Sequence, residues 1–326
     1  MAGARPGGGE DVTDAGWARI STDAFNVALW SYIAGMLAYF HFLAFRRRTV
    51  WAIGALAASV GVVAHATSIV GRGVAAGRLP WGNMYEYSSL LALLVVVAYL
   101  ALVEGVYRVR ALGGFALAFA VLTMAIAVQF LYVGPQPLVP ALNSYWRQIH
   151  VTSMIVSSSL LALGSIVTIL YLVKDRAERR TGPPAIMGGS TDLDRVEDAP
   201  PHFEAGADEP VAPAYAPRRG LLPSASVLDR IAYRTFAFAF PLWTFGIITG
   251  AVWAEEAWGR YWGWDPKETW SFITWVVYAG YLHARATSGW KGRRAAVIAM
   301  VGFVSLLVTY YAVNLWIIGL HSYAGV

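Results

Sequence analysis

Long apolar runs separated by short polar joints dominate the chain. Eight runs of about membrane-spanning length can be marked, at 25–45, 50–70, 88–107, 111–133, 151–173, 231–252, 269–286 and 295–318. Each reaches or approaches the ~20 residues an α-helix needs to cross about 30 Å of hydrocarbon. The pattern therefore predicts an all-α, polytopic membrane protein with about eight transmembrane helices. The sixth run contains Arg234 and Pro241 and the seventh is short, so their ends are the softest. Only Arg108–Arg110 separates the third run from the fourth, which predicts a tight helical hairpin. Gly, Pro and Asn in GRGVAAGRLPWGNMYEY at 71–87 predict an ordered re-entrant or interfacial segment on the outer side.

One stretch breaks the pattern. Residues 177–226 are rich in Pro, acidic and small residues and poor in bulky apolar ones, a composition too weak to bury a core. They predict a disordered cytoplasmic linker between helices 1–5 (25–176) and helices 6–8 (227–326), with residues 1–24 as an external N-terminal tail. His202 falls in the linker as a solvated histidine. No cleavable signal peptide is expected, because residues 1–23 are polar and Gly-rich and the first apolar run starts near Phe25.

Composition agrees with a membrane protein: 57% of residues are hydrophobic and only 14% charged. The net charge of +5 suggests no nucleic acid, since the basic residues lie dispersed at helix ends. Their distribution instead predicts orientation. Alternate joints hold Arg46–Arg48; Arg108 and Arg110; Lys174, Arg176, Arg179 and Arg180; and Arg285, Lys291, Arg293 and Arg294. The opposite joints hold Arg72 and Arg78, then Arg147, then Arg260 and Lys267. The richer set is expected in the cytoplasm, which places both termini outside a cytoplasmic (plasma) membrane. The absence of cysteine excludes disulfides, thiolate metal sites and cysteine nucleophiles.

The candidate chemistry lies in WAEEAWGRYWGWDPKETWSFITW, Trp253–Trp275. Six of the fourteen tryptophans fall in it: Trp253, Trp258, Trp262, Trp264, Trp270 and Trp275, with Glu255, Glu256, Arg260 and Asp265 among them. Pro266 disfavours helix in the preceding residue, so Trp264 and Asp265 are expected in a loop. An interfacial aromatic belt would spread over all helix ends rather than gather in one run. A packed, π-rich surface with a few charges suits a large planar ligand.

Topology puts His150 and His321 at the outer depth of this loop, and His283 near the cytoplasmic end of the seventh helix. Imidazole ligates iron, copper and zinc, and a haem has a planar face to stack on indoles. Two outer histidines can fill both axial positions, with Arg147, Arg260 or Lys267 against the propionates. A ligand at the opposite end implies either electron transfer between two haems or passage of haem across the membrane. Residue chemistry alone leaves both open. Asp265 and Glu268 are candidate proton shuttles or caps of the helix beginning near Lys267. Glu104 is expected to snorkel or to pair with Arg108.

The order of the tryptophan-rich tract, YLHAR at 281–285 and NLWIIGLHSY at 314–323 resembles the CcsA/ResC-type cytochrome c biogenesis proteins, the System II members of the haem-handling group defined by a WWD signature. LPWGNMYEY at 79–87 resembles a second family segment. The resemblance implies that haem b is the transported ligand, arriving from the cytoplasmic side and presented outside for thioether attachment to a Cys-x-x-Cys-His apocytochrome c. It implies His150 and His321 as outer axial ligands and His283 as the ligand of a membrane site. Trp253, Trp258, Trp262, Trp264, Asp265 and Trp270 would cradle the ring. It also implies a separate ResB-type membrane partner, part of a holocytochrome c synthase, with thiol-reducing proteins as further partners. The second inner ligand would be the partner's or His41, whereas His65 lies too far towards the outer side and is expected to bond between helices. The rival readings are a haem exporter without synthase activity and a b-type electron-transfer subunit.

Overall fold

The computed structural model describes residues 10–136, 142–181, 222–317 and 319–321. Helices follow one another as α1 (Glu10–Phe45), α2 (Arg48–Ala75), α3 (Met84–Ala98), α4 (Gly113–Phe130), α5 (Tyr145–Thr181), α6 (Ala225–Trp258), α7 (Pro266–Ala286), α8 (Arg293–Leu307) and a last turn, α9 (Val313–Trp316). A π-helical segment, Tyr99–Val106, extends α3, and a second, Val308–Ala312, joins α8 to α9. Seven of these rods are long and apolar enough to cross a membrane. The eighth, α7, has the length but relies on Trp and Tyr for its apolar surface and carries Lys267, Glu268, His283 and Arg285 near its ends. The chain is a multi-pass membrane protein. Most of the linker, with His202, and both extreme termini lie outside the described residues.

Two hairpins dominate the packing. On one flank α1 lies along α2, and the close approach follows from small residues on α2: Gly54, Ala58, Gly61, Ser68 and Gly71 are all buried. A Cβ at Gly61 would stand 2.5 Å from the Tyr32 ring. Such small-residue faces let helix backbones meet where no hydrophobic effect drives them together. On the other flank α5 packs along α6 and also touches α3 and α8. It is the most enclosed rod, with 83% of its apolar window inside the protein. His65 of α2 is buried and bonds Ser89 of α3 (2.8 Å), the interhelical role expected of it.

Three local expectations change. Of the two forms expected for 71–87 the re-entrant one is not adopted: α2 runs to Ala75, a short ordered turn follows, and Asn83 caps α3 by accepting from the Glu86 amide (2.9 Å). Glu86 is buried and receives Arg72 and Arg78 (both 2.8 Å) as well as the Gly82 amide (2.7 Å), which fixes residues 79–83 over the end of the bundle. Glu104 does not pair with Arg108. The π-helical register turns its carboxylate towards the α1–α2 hairpin, where it accepts from Tyr39 (2.5 Å), Tyr99 (2.6 Å) and Trp51 (2.9 Å). The tryptophan-rich tract, finally, is mostly helix. Trp253 and Trp258 belong to α6, which stops at Gly259 in the left-handed conformation (φ +69°). Asp265 and Glu268 form a capping box on α7 with Pro266 at the first helical position, leaving 259–265 as the true loop.

Candidate functional site

The α3, α5, α6 and α7 rods and the π-helical segment Val308–Ala312 converge at the end of the bundle that carries this loop, and a cavity opens between them. It encloses about 1130 Å³ of empty space, counting its open mouth and the solvent in it. Its walls include His150 and Arg147 from α5, Trp253 and Trp258 from the last turns of α6, Trp262 from the loop, and Lys267 from α7, with His321 beyond α9. The structure thus brings His150 and His321, distant in sequence, to one chamber.

Both imidazoles are held in the same way. Nδ1 of His150 lies 2.7 Å from the Gly246 carbonyl, an acceptor only, so Nδ1 carries the proton and Nε2 keeps its lone pair. The ring fits because residue 250 is glycine: a Cβ there would stand 2.5 Å from Nδ1. Nδ1 of His321 lies 2.8 Å from Oδ2 of Asp265. Burial pushes the Asp265 carboxyl up. The His321 hydrogen bond and the Leu320 and Lys267 amides outweigh it and hold the group down at about 2, ionised and accepting. Burial lowers the basicity of His321 despite that carboxylate, keeping its second nitrogen available. A carboxylate behind a histidine fixes its tautomer and ring plane and strengthens it as a ligand. Each Nε2 is left without a protein partner among the described residues.

Trp253 stands beside both rings, stacked on His150 (centroids 6.0 Å, planes 20° apart) and edge-on to His321 (5.9 Å). Trp258 packs on Trp253 (5.0 Å) and on His321 (5.2 Å). The indole N–H groups of Trp81 and Trp253 are buried with no partner among the described residues, although both residues line the cavity. Unsatisfied buried donors are costly, and here they mark where a ligand's acceptors would sit. No three His, Asp or Glu side chains among the described residues converge as a site for a bare ion. Two free imidazole nitrogens, indole walls and waiting donors fit a metallated macrocycle.

The remaining sequence candidates divide. Trp264 is exposed and Trp270 lies off the cavity; Trp264 packs edge-on against Trp262 (5.7 Å), forming a layer behind the wall. Arg260 does not line the cavity either and pairs with Glu268 (3.5 Å). Arg147 lines it, but its guanidinium is engaged with the carbonyls of Leu142 and Trp81. Lys267 lines it and donates to Asn314 (2.8 Å). At the other end His283 and His41 are both exposed, His41 lying against Phe45 (4.5 Å). Sequence reasoning missed Trp81, Tyr87, Met154, Trp243 and Tyr310 among the lining residues, and Gly246 and Gly250 behind His150. The resemblance of LPWGNMYEY was the one available signal for Trp81 and Tyr87.

Comparisons with known proteins agree on the kind of protein this is. The profile of the family described as "Cytochrome C assembly protein" matches residues 81–321. The chain is similar to the cytochrome c biogenesis protein CcsA of Porphyra purpurea, 36% identical over 310 residues, covering 91% of this chain and 95% of that protein. It is likewise similar to CcsA of Gloeobacter violaceus, 38% identical over 325 residues and covering 91% and 94% of the two chains. CcsA of Synechococcus elongatus is 39% identical over 287 residues, covering 83% and 87%. Among solved structures, "Cytochrome c Heme Lyase CcmF" superposes with a TM-score of 0.64 at 13% identity, over 90% of this chain and 46% of that one, a likeness of fold.

Proposed function

The chain belongs to the cytochrome c assembly protein family, and on that premise we propose that it holds haem between His150 and His321 for covalent attachment to apocytochrome c. It is a protein of cytochrome c biogenesis. The observation that carries the finer reading is the shared tautomer: in both histidines Nδ1 is committed to an acceptor and Nε2 is left free at one indole-lined chamber. When bound, haem supplies the vinyl groups that become thioethers. The chain's own part is positioning. Two imidazoles set the iron, Trp253 and Trp258 set the ring plane, and the cavity mouth leaves an edge open to the incoming Cys-x-x-Cys-His segment. Holding thiol and vinyl in reach turns an encounter into a near-unimolecular step. The substrate's own histidine can then displace one protein imidazole and release the product.

In this reading the arginine-rich joints are cytoplasmic and the cavity opens on the outer face of the plasma membrane. Haem b enters from the cytoplasmic side, where His283 is one ligand and a ResB-type partner or His41 supplies the other. Trp264 supports the ring through the aromatic layer it forms with Phe272 behind Trp262. The test is co-expression with an apocytochrome c, with and without a ResB-type partner. Covalent haem on the substrate, lost in His150→Ala and His321→Ala, is expected. Free haem accumulating outside, with none attached even when the partner is present, would make the chain an exporter instead.

A further inference from the structure

Lys267 occupies a costly position. It is the second residue of α7, where the helix dipole opposes a cation, and its side chain runs to the cavity. Its ammonium forms no ion pair among the described residues; the nearby Asp265 is committed to His321 and to two backbone amides. What Nζ does meet is Oδ1 of Asn314, 2.8 Å away. Asn314 in turn is fixed by its own helix. Its Nδ2 donates to the carbonyls of Tyr310 (2.5 Å) and Thr309 (3.5 Å), within the π-helical segment Val308–Ala312. Those carbonyls accept only, so the amide cannot flip, and its oxygen must face Lys267. Thr309 and Tyr310 themselves line the cavity, so the π-helical register brings the whole assembly to the wall. Of the three cations suggested by sequence, Arg260 is spent on Glu268 and Arg147 on backbone carbonyls. Lys267 remains.

We propose that Asn314 is a positioning residue that holds the Lys267 ammonium in the cavity to receive one carboxylate of the haem. The proposal rests on the reading of this cavity as the haem site. An anionic group arriving there replaces no ion pair of Lys267 and gives it a counter-charge, while the indoles of Trp81 and Trp253, without partners among the described residues, offer further donors.

The full-length chain is titrated with haem and with haem dimethyl ester, whose carboxylates are masked. Lys267→Met and Asn314→Leu should each weaken binding of haem about tenfold or more, the range for a hydrogen bond to a charged group, and leave binding of the ester within about twofold. Lys267→Arg should restore the preference for free haem. The iron spectrum should stay that of the wild type throughout, because neither residue touches the imidazoles. Equal losses for haem and ester would show that the residues serve packing alone and overturn the proposal. So would unchanged haem affinity in Lys267→Met, a variant that leaves the bonds of Asn314 to Thr309 and Tyr310 intact even if Asn314→Leu fails to fold. A wild-type chain that binds haem without bis-imidazole ligation would remove the site reading itself, a failure visible before any variant is made.

Discussion

At the scale of single residues, the site is set by the groups that seat its two imidazoles. Gly250 is the clearest case, since any side chain there collides with the His150 ring. Gly250→Ala should displace that imidazole, and loss of the low-spin haem spectrum with an unchanged yield of folded protein in the membrane is the expected result. A wild-type spectrum in Gly250→Ala would show that the ring position does not matter. Asp265 acts likewise on His321: Asp265→Asn removes the charge behind the ring and should weaken haem affinity 10–100-fold, as such supporting residues commonly do. Equal affinity in titrations of the two proteins would contradict this. Sequence could place His150 and His321 at one depth because charge distribution and apolar runs set topology. It could not find Gly250, because a glycine that seats an imidazole reads like one that merely packs helices.

At the scale of elements, the departures from regular helix are where position is decided. The π-helical segment at Tyr99–Val106 turns Glu104 towards three donors, and the one at Val308–Ala312 places Asn314 against Lys267. Neither was legible, because a reading by 3.6-residue period assumes a constant register and an inserted residue leaves no mark in hydrophobicity. The α7 start was legible, because Asp265, Pro266 and Glu268 are local capping chemistry that acts within one turn. The turn before α3 depends on longer-range charge. Glu86 there neutralises Arg72 and Arg78 in a buried setting, and removing one member strands the others. Glu86→Ala should cost about 3–5 kcal/mol and loosen residues 79–83. Thermal unfolding in detergent and protease cleavage within 76–83 measure both effects; a midpoint equal to wild type would refute the role.

For the whole molecule, the helix count was readable from apolar runs, and the family from motifs at the C-terminal end and at 79–87. What no run reveals is which rods meet. The chamber draws on α3, α5, α6, α7 and the π-helical segment Val308–Ala312, and only the folded chain brings Trp81 near Trp253. Residues 182–221 lie outside the described residues, and their polar, Pro-rich composition is too weak to bury a core. Replacing 182–220 with a ~12-residue Gly/Ser linker should therefore leave membrane yield and haem binding intact, since closure entropy changes slowly with loop length. Loss of folded protein would reveal a structural role for that segment. The proposed orientation rests on the arginines: reporter fusions after Arg48, Arg110 and Arg294 should score cytoplasmic and one after Arg78 external, and an external signal at Arg110 would invert the scheme. The central claim, a haem held by two imidazoles at the cavity, is tested most directly by the optical and electron paramagnetic resonance spectra of the purified chain. Wild type should give a low-spin bis-imidazole haem. His150→Gly and His321→Gly should each lose it, and added free imidazole should restore it in both. A low-spin bis-imidazole spectrum that persists in either variant without added imidazole would contradict the account.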